Sequence, residues 1–313
     1  MPKALPKRFT DEAAARAHLE ALQWPEGPIC PHCGVIDRAS RIKGGRPGLL
    51  FCNACRKQFS VTVGTVFERS KIPLHTWLYA TNLLCSSKKG ISSCQLERML
   101  GVSHKTAWFM AHRIRAAMAP AEGSEPPLGG EGEIVEADET ELGVSHKSRA
   151  RKGGRKDNLK FVSLIERGGK VRSRTLTGKG KPISIDIHKA LYSQVDGASI
   201  LHTDGAKHYA YSLFRHTHEA VDHNKQFVRD GRGGEKVHCN SAEGYFSIFK
   251  RGLVGTYQHM SEQHLARYLA EFDFRMSHRV KLGYSDDMRT DIALEGIGGK
   301  RLTYRRIGEA AHA

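Results

Sequence analysis

The sequence predicts a multi-domain α/β protein in which a small cysteine-knuckle module and a helical segment precede a mixed sheet flanked by helices. Three observations carry that expectation. Two Cys-x-x-Cys pairs stand near the N-terminus. A Pro- and Gly-rich stretch interrupts the chain at residues 119–132. Beyond it, strand-like runs come first, then alternate with helix-like ones, then give way to helices. The 313 residues carry 49 Lys+Arg against 33 Asp+Glu, a formal charge of +16, which makes a polyanion, nucleic acid above all, the natural partner. No run of about 18 apolar residues is present to suggest a membrane span. The start Met1-Pro-Lys-Ala-Leu-Pro-Lys-Arg8 lacks the apolar stretch of a secretory signal, so a cytoplasmic, nucleoid-associated place is expected.

The first element is a helix. Asp11 and Glu12 precede Ala13, Ala14, Ala15, Leu19 and Leu22 at helical spacing, with acids in the first turn. Trp24-Pro25 then leads to Cys30-Pro-His-Cys33 and, eighteen residues on, Cys52-Asn-Ala-Cys55. Each pair forms a knuckle presenting two thiolates, and a hairpin between them brings four sulfurs to one tetrahedral Zn²⁺. Four thiolates leave no open position, so this metal is structural. Two disulfides, or four reduced cysteines that happen to be spaced this way, are the alternative; against a disulfide framework stands the odd remainder Cys85, Cys94 and Cys239. Phe59 to Val63 has the composition of a closing strand, and residues 1–68 form this helix-and-ribbon module.

Residues 69–118 are helical. After a helix at Leu74 to Leu84, Leu96, Met99 and Leu100 are followed by a Gly101 turn and a second helix capped by Ser103, which is helix-turn-helix spacing. If that second helix enters a major groove, His104, Lys105 and Thr106 face base edges, and Arg113 and Arg115 approach phosphate. An ordinary helical hairpin is the plain alternative.

Residues 119–132 mark a linker, and residues 133–290 the main α/β domain, with a C-terminal tail over 291–313. Strands are expected around Val135 to Asp138, Phe161 to Ile165, Val171 to Leu176 and Ser199 to Asp204, with helices at Ser184 to Tyr192, His238 to Gly252 and Ser261 to Arg275. The stretch Lys147-Ser-Arg149-Ala-Arg151-Lys152-Gly-Gly-Arg155-Lys156 is a basic hairpin tip suited to gripping phosphate, or simply a solvated loop. Asp138 and Asp204 each follow an apolar run, so both are expected at strand ends, where neighbouring strands would offer two carboxylates to one hard cation such as Mg²⁺. On the helix after His238, Glu243 and Lys250 stand two turns apart on one stripe, roughly 10 Å along the axis, with Asn240 a turn before Glu243. An acid can there bind metal while a cation holds phosphate. Tyr245, Phe246, Ile248 and Phe249 pack.

These residues carry a family resemblance. Trp24-Pro-Glu-Gly-Pro-Ile-Cys-Pro-His-Cys-Gly34, Val63-Gly-Thr-Val-Phe67, Val135-Glu-Ala-Asp-Glu-Thr140, Glu243-Gly-Tyr-Phe-Ser-Ile-Phe-Lys-Arg-Gly252 and Gly255-Thr-Tyr257 resemble the DDE-type insertion-sequence transposases that place a zinc ribbon and helix-turn-helix before an RNase-H-like catalytic domain. The likeness runs from about Phe9 to about Tyr304. It implies that Asp138 and Asp204 are the first two catalytic acids. The third position falls on Asn240 or Glu243, and Lys250 is the accompanying cation. It implies catalytic Mg²⁺ or Mn²⁺ and structural Zn²⁺, and double-stranded DNA as partner, both terminal inverted repeats and target. A homo-dimer or higher assembly follows from the need to join two ends.

Two metal ions about 4 Å apart activate the attacking oxygen and stabilise the leaving oxygen of an in-line displacement at phosphorus. Hydrolysis would free a 3′-hydroxyl, which then attacks target DNA. A serine or tyrosine recombinase would attack with a side chain instead, and Ser241 and Tyr245 lie near Glu243 without an assigned base. The other readings are a non-enzymatic DNA-binding regulator derived from a transposase, and a metal-dependent nuclease without strand transfer.

Overall fold

In a computed structural model, residues 5–121, 123–143, 159–176, 183–209, 216–222 and 226–302 are described. The chain forms two compact units, one of residues 1–119 with 285–313, the other of residues 120–284. The expected basic hairpin tip, Lys147 to Lys156, lies outside the described residues.

The first unit opens with helix α1 (Glu12–Gln23), whose Asp11 cap accepts from the Ala14 amide at 2.7 Å. A three-stranded antiparallel sheet follows: β1 (Ala39–Arg41), β2 (Leu50–Cys52) and β3 (Gln58–Phe59). The closing strand is shorter than expected. At Ser60 the chain turns, with Val63 N–H bonding to Ser60 O at 3.0 Å, so Val63 packs on the ribbon core from a turn. Helices α2 (Leu74–Ser86), α3 (Ser93–Leu100) and α4 (His104–Met118) follow. Between α3 and α4, Gly101 adopts φ 65°, the left-handed turn that a side chain disfavours. The last helix of the unit, α8 (Asp286–Glu295), packs on α2, where Asn82 donates to Thr290 Oγ1 at 3.0 Å, and its Ala293 and Leu294 are buried. A domain boundary expected at residue 290 therefore falls inside a helix. What was expected as a tail from 291 begins as packed core.

The second unit is built on a five-stranded sheet in the order β6-β5-β4-β7-β8: β4 (Ile134–Leu142), β5 (Leu159–Glu166), β6 (Val171–Leu176), β7 (Ile200–Thr203) and β8 (Thr217–Ala220). Strands β4, β7 and β8 run parallel to their neighbours in that series, and β5 and β6 are antiparallel. This is the RNase-H-like arrangement. Phe161, Val162, Leu164 and Ile165 make β5 apolar on both faces, as a strand covered on both sides requires. One face carries α5 (Ile183–Gln194), against Val135, Ala137, Val162 and Leu164. The other carries α6 (Asn240–Gly252) and α7 (Glu262–Ser277), against Leu142, Phe161 and Ile165. Leu265, Tyr268, Leu269 and Phe272 form the buried stripe of α7 that its spacing predicts.

The Pro- and Gly-rich stretch is less of a linker than its composition suggests. Leu128 is buried, and its backbone exchanges hydrogen bonds with Gln194 O at 2.7 Å and Asp196 N at 2.9 Å. One large apolar residue beside glycines pins the segment to the chain that leaves α5. A short hairpin, β9 (Arg229–Asp230) with β10 (Lys236–Val237), precedes α6, and neither it nor β8 was expected from the sequence.

Candidate active site

Strand β4 alternates its side chains between the two covering layers. Val135 and Ala137 join the α5 side, leaving Glu136, Asp138 and Thr140 on the α6 side. Asp138 was expected at a strand end. It stands instead in the middle of β4, opposite Ser163 of β5. The parallel pairing with β7 stops at Glu136 opposite His202, so β4 runs past its neighbour and Asp138 borders an open edge. Asp204 follows β7 directly, two residues beyond His202, which brings the two carboxylates level on adjacent parallel segments. An Asx turn, Ala206 N–H to Asp204 Oδ1 at 3.0 Å, shapes the chain there.

Helix α6 supplies the third element. Asn240, Glu243, Ser247 and Lys250 are exposed, while Tyr245, Phe246 and Phe249 are buried against the sheet. Burial, then the charges of Asp204, Glu139 and Glu243, opposed by the Glu139 amide, push the Asp138 carboxyl up to about 7. Asp138, Asp204 and Glu243 therefore share one electrostatic neighbourhood. Cys239, buried before α6, has its thiol pushed up by burial and then by Asp138, Glu136, Asp204 and Glu243. Like charges gathered this way are relieved by a divalent cation, and carboxylate oxygens are the donors that Mg²⁺ takes. Among the described residues, only the four cysteines bring three or more metal-ligating groups within 4.8 Å of one another; the carboxylates are spread more widely.

The side chains considered as covalent nucleophiles are engaged. Tyr245 is buried, and its hydroxyl donates to Asp273 Oδ1 at 2.5 Å. Ser241 Oγ donates to Glu136 Oε1 at 3.1 Å.

In the first unit, Cys30 and Cys55 sulfurs lie 3.6 Å apart and Cys33 and Cys52 sulfurs 3.7 Å. Sulfurs on a tetrahedron of about 2.3 Å radius stand about 3.8 Å apart, so the four-cysteine cluster fits zinc. All four are free thiols, which answers the disulfide alternative. The Cys55 amide donates to Cys52 Sγ at 3.5 Å and, as the first cause, pulls that thiol down to about 7.

Residues 127–277 match the ISXO2-like transposase domain, and residues 10–58 the transposase zinc-ribbon domain. An uncharacterized protein in transposable element ISH50 of Halobacterium salinarum is 26% identical over 287 residues, covering 86% of this chain and 92% of its own. The chain carries an ISXO2-like transposase domain behind a transposase zinc ribbon.

In this transposase the helix-turn-helix segment differs from its sequence reading in detail. His104 and Lys105 are exposed at the start of α4. Thr106 is half-buried, its amide and hydroxyl both tied to the Ser103 cap at 3.3 and 2.9 Å, so its first duty is to the helix end. Arg115 is fully buried, because it falls on the packed face of α4 with Ala111, Ile114 and Met118, and it is not a phosphate contact. Arg113 sits with its guanidinium 4.7 Å from the Phe109 ring and 5.9 Å from Trp77, Nη1 donating to Glu68 O at 3.4 Å. Burial lowers its pKa. With Arg69, Lys105 and Phe109 it lines a cavity of about 250 Å³.

Around the transposase's acids, sequence reasoning missed Glu136, Arg167, Glu139 and Tyr209. Tyr209 Oη donates to Glu139 Oε2 at 2.6 Å, and His208 Nε2 lies 2.9 Å from Oε1, so Glu139 ties the segment after Asp204 back to β4. The available signal was three acids within four residues of an apolar strand.

Proposed function

We propose that this transposase binds the terminal inverted repeats of an insertion sequence and catalyses metal-dependent cleavage and strand transfer in its second unit. The observation that carries the reading is the level placement of Asp138 and Asp204 on adjacent parallel segments, with Glu243 close enough to help raise Asp138. Asp138, Asp204 and Glu243 would hold Mg²⁺ or Mn²⁺. When bound, the metal supplies Lewis-acid stabilisation of the attacking and leaving oxygens at phosphorus. Glu243 is preferred to Asn240 as the third ligand because a carboxylate neutralises a divalent charge and an amide does not; Asn240, one turn earlier and equally exposed, orients substrate. Lys250 binds a phosphate two turns along the same face. Ser241 and Tyr245, held by Glu136 and Asp273, take no covalent part.

His104 and Lys105 reach the repeat, and the basic stretch Lys147 to Lys156 grips phosphate without regard to sequence. Two copies or more act together, since both element ends must be joined.

The test is cleavage and strand transfer on labelled DNA carrying the terminal repeats, with Mg²⁺, comparing the intact chain with Asp138→Ala and Asp204→Ala. Joined products that vanish in both variants while repeat binding persists are expected. Cut but unjoined products would make the protein a nuclease, and repeat binding with no product from any form would make it a regulator.

A further inference from the structure

One step back along the strands from the carboxylate pair lies a second polar layer. Glu136 and His202 are register partners, and each precedes an acid of the pair by two residues, so they lie on the same sheet face. Glu136 is 0% exposed. Its Oε2 accepts from the backbone amides of Ser241 at 2.8 Å and Ala242 at 3.3 Å. Its Oε1 accepts from Ser241 Oγ at 3.1 Å and from Arg167 Nε and Nη2 at 3.1 and 3.0 Å, and lies 3.3 Å from His238 Nδ1. First-turn amides of a helix have no intrahelical partner and bear the positive end of its dipole. Here both needs are met by a carboxylate from a strand, because the residue at the cap position, Cys239, makes no side-chain bond.

Arg167 completes the layer. Its amide donates to Ile134 O of β4 at 2.9 Å. Nη1 donates to Lys236 O at 2.9 Å, and Nη2 reaches His238 O at 3.3 Å and His202 Nδ1 at 3.2 Å. One residue thus touches β4, β7 and the segment entering α6. Those are the segments bearing Asp138, Asp204, and Asn240 with Glu243.

We infer that buried Glu136 and its half-buried partner Arg167 form the positioning element of the reaction centre, seating the first turn of α6 so that Glu243 and Asn240 stand at the height of Asp138 and Asp204 before metal and DNA arrive. This rests on the reading of those acids as the metal-binding residues. A simple fold-stabilising pair would affect melting; a positioning pair affects the chemical step and the metal requirement in a chain that remains folded.

The experiment uses the full chain and DNA carrying the terminal repeats. It measures cleavage rate at saturating DNA, DNA affinity, half-saturating Mg²⁺ and thermal unfolding. For Glu136→Gln the expected result is a rate lower by about 10²-fold, the cost of displacing a reacting group by about 1 Å, with DNA affinity held within about twofold. The half-saturating Mg²⁺ rises. Because Glu136→Gln leaves the half-buried Arg167 without its carboxylate, Glu136→Gln/Arg167→Met, which removes both charges, is measured alongside and is expected to fold and show the same loss. Arg167→Gln distinguishes position from field. Both single variants raise the Mg²⁺ requirement if the pair positions α6. If the pair acts only through its charges, they shift it in opposite directions at unchanged maximal rate, which overturns the proposal, as does wild-type cleavage by the folded double variant. Asp138→Ala is the control. Should it retain cleavage, the metal-site reading itself falls; should it be inactive while the Glu136 variants cut normally, only the positioning role falls.

Discussion

Asp138 and Asp204 are separated along the chain by 65 residues yet stand level on adjacent segments, and after burial it is the charge of Asp204 that most raises the Asp138 carboxyl. Replacing either by Ala is expected to lower the cleavage rate by about 10²-fold or more, since metal-borne charge stabilisation is worth several kcal/mol. Repeat affinity in a filter or anisotropy assay should be retained. Tyr245→Phe gives the opposite pattern. It removes one hydrogen bond to Asp273, costing about 1 kcal/mol in urea unfolding, and leaves a cleavage product with no protein attached. A covalent protein–DNA adduct in the wild type that disappears in this variant would refute the metal reading. Both aspartates were legible as acids following apolar runs. Glu136 was not, because the duty of a buried carboxylate depends on which helix docks above it, and that is a tertiary fact.

At the scale of elements, hydrophobic spacing found α1, α2, α4, α5 and α7 and the strands β5, β6 and β7, because each buries a regular face. It ends β4 at Asp138, because Glu139, Thr140 and Glu141 that follow are polar, whereas the strand runs on to Leu142. It also missed the short strands β8, β9 and β10, which hold few side chains in the core. The polar contact among β6, α6 and α7 makes a pH prediction. Asp273 accepts from Ser173 N and Oγ, each at 2.7 Å, and from Tyr245; burial outweighs these bonds and pushes its carboxyl up to about 7. An acid raised above its unfolded value, about 3.9, binds its proton more tightly in the native state between those two values. Its contribution to stability is therefore greatest in acid and is lost as pH rises through about 7. Relative to Asp273→Asn, the wild-type melting temperature is expected to fall between about pH 5 and pH 8. A difference between the two proteins that does not change over that range would contradict the protonated state. On α4, Ser103→Ala removes the cap bond to Thr106 and is expected to cost about 1 kcal/mol of stability in denaturant unfolding.

At the scale of the whole molecule, the cysteine spacing alone announced the ribbon, because metal geometry leaves few ways to converge four sulfurs. One zinc per chain is expected by elemental analysis, falling to none in Cys30→Ser, with loss of the ribbon's β-structure; full metal retention in that variant would exclude the four-thiolate site. The fate of the C-terminal residues was not legible, since an amphipathic helix does not say which core it completes. Among its own contacts, α8 donates Arg289 Nε to Cys85 O at 3.0 Å and accepts from Gln23 through Leu294 O at 2.8 Å. The first unit is therefore discontinuous, begun before the catalytic unit in the chain and finished after it. A ribosome that has made residues 1–119 has not yet made the helix that closes their core, and translation must pass through the whole catalytic unit first. A message cut short inside that unit leaves residues 1–119 without α8, so the face of α2 that this helix covers stays open.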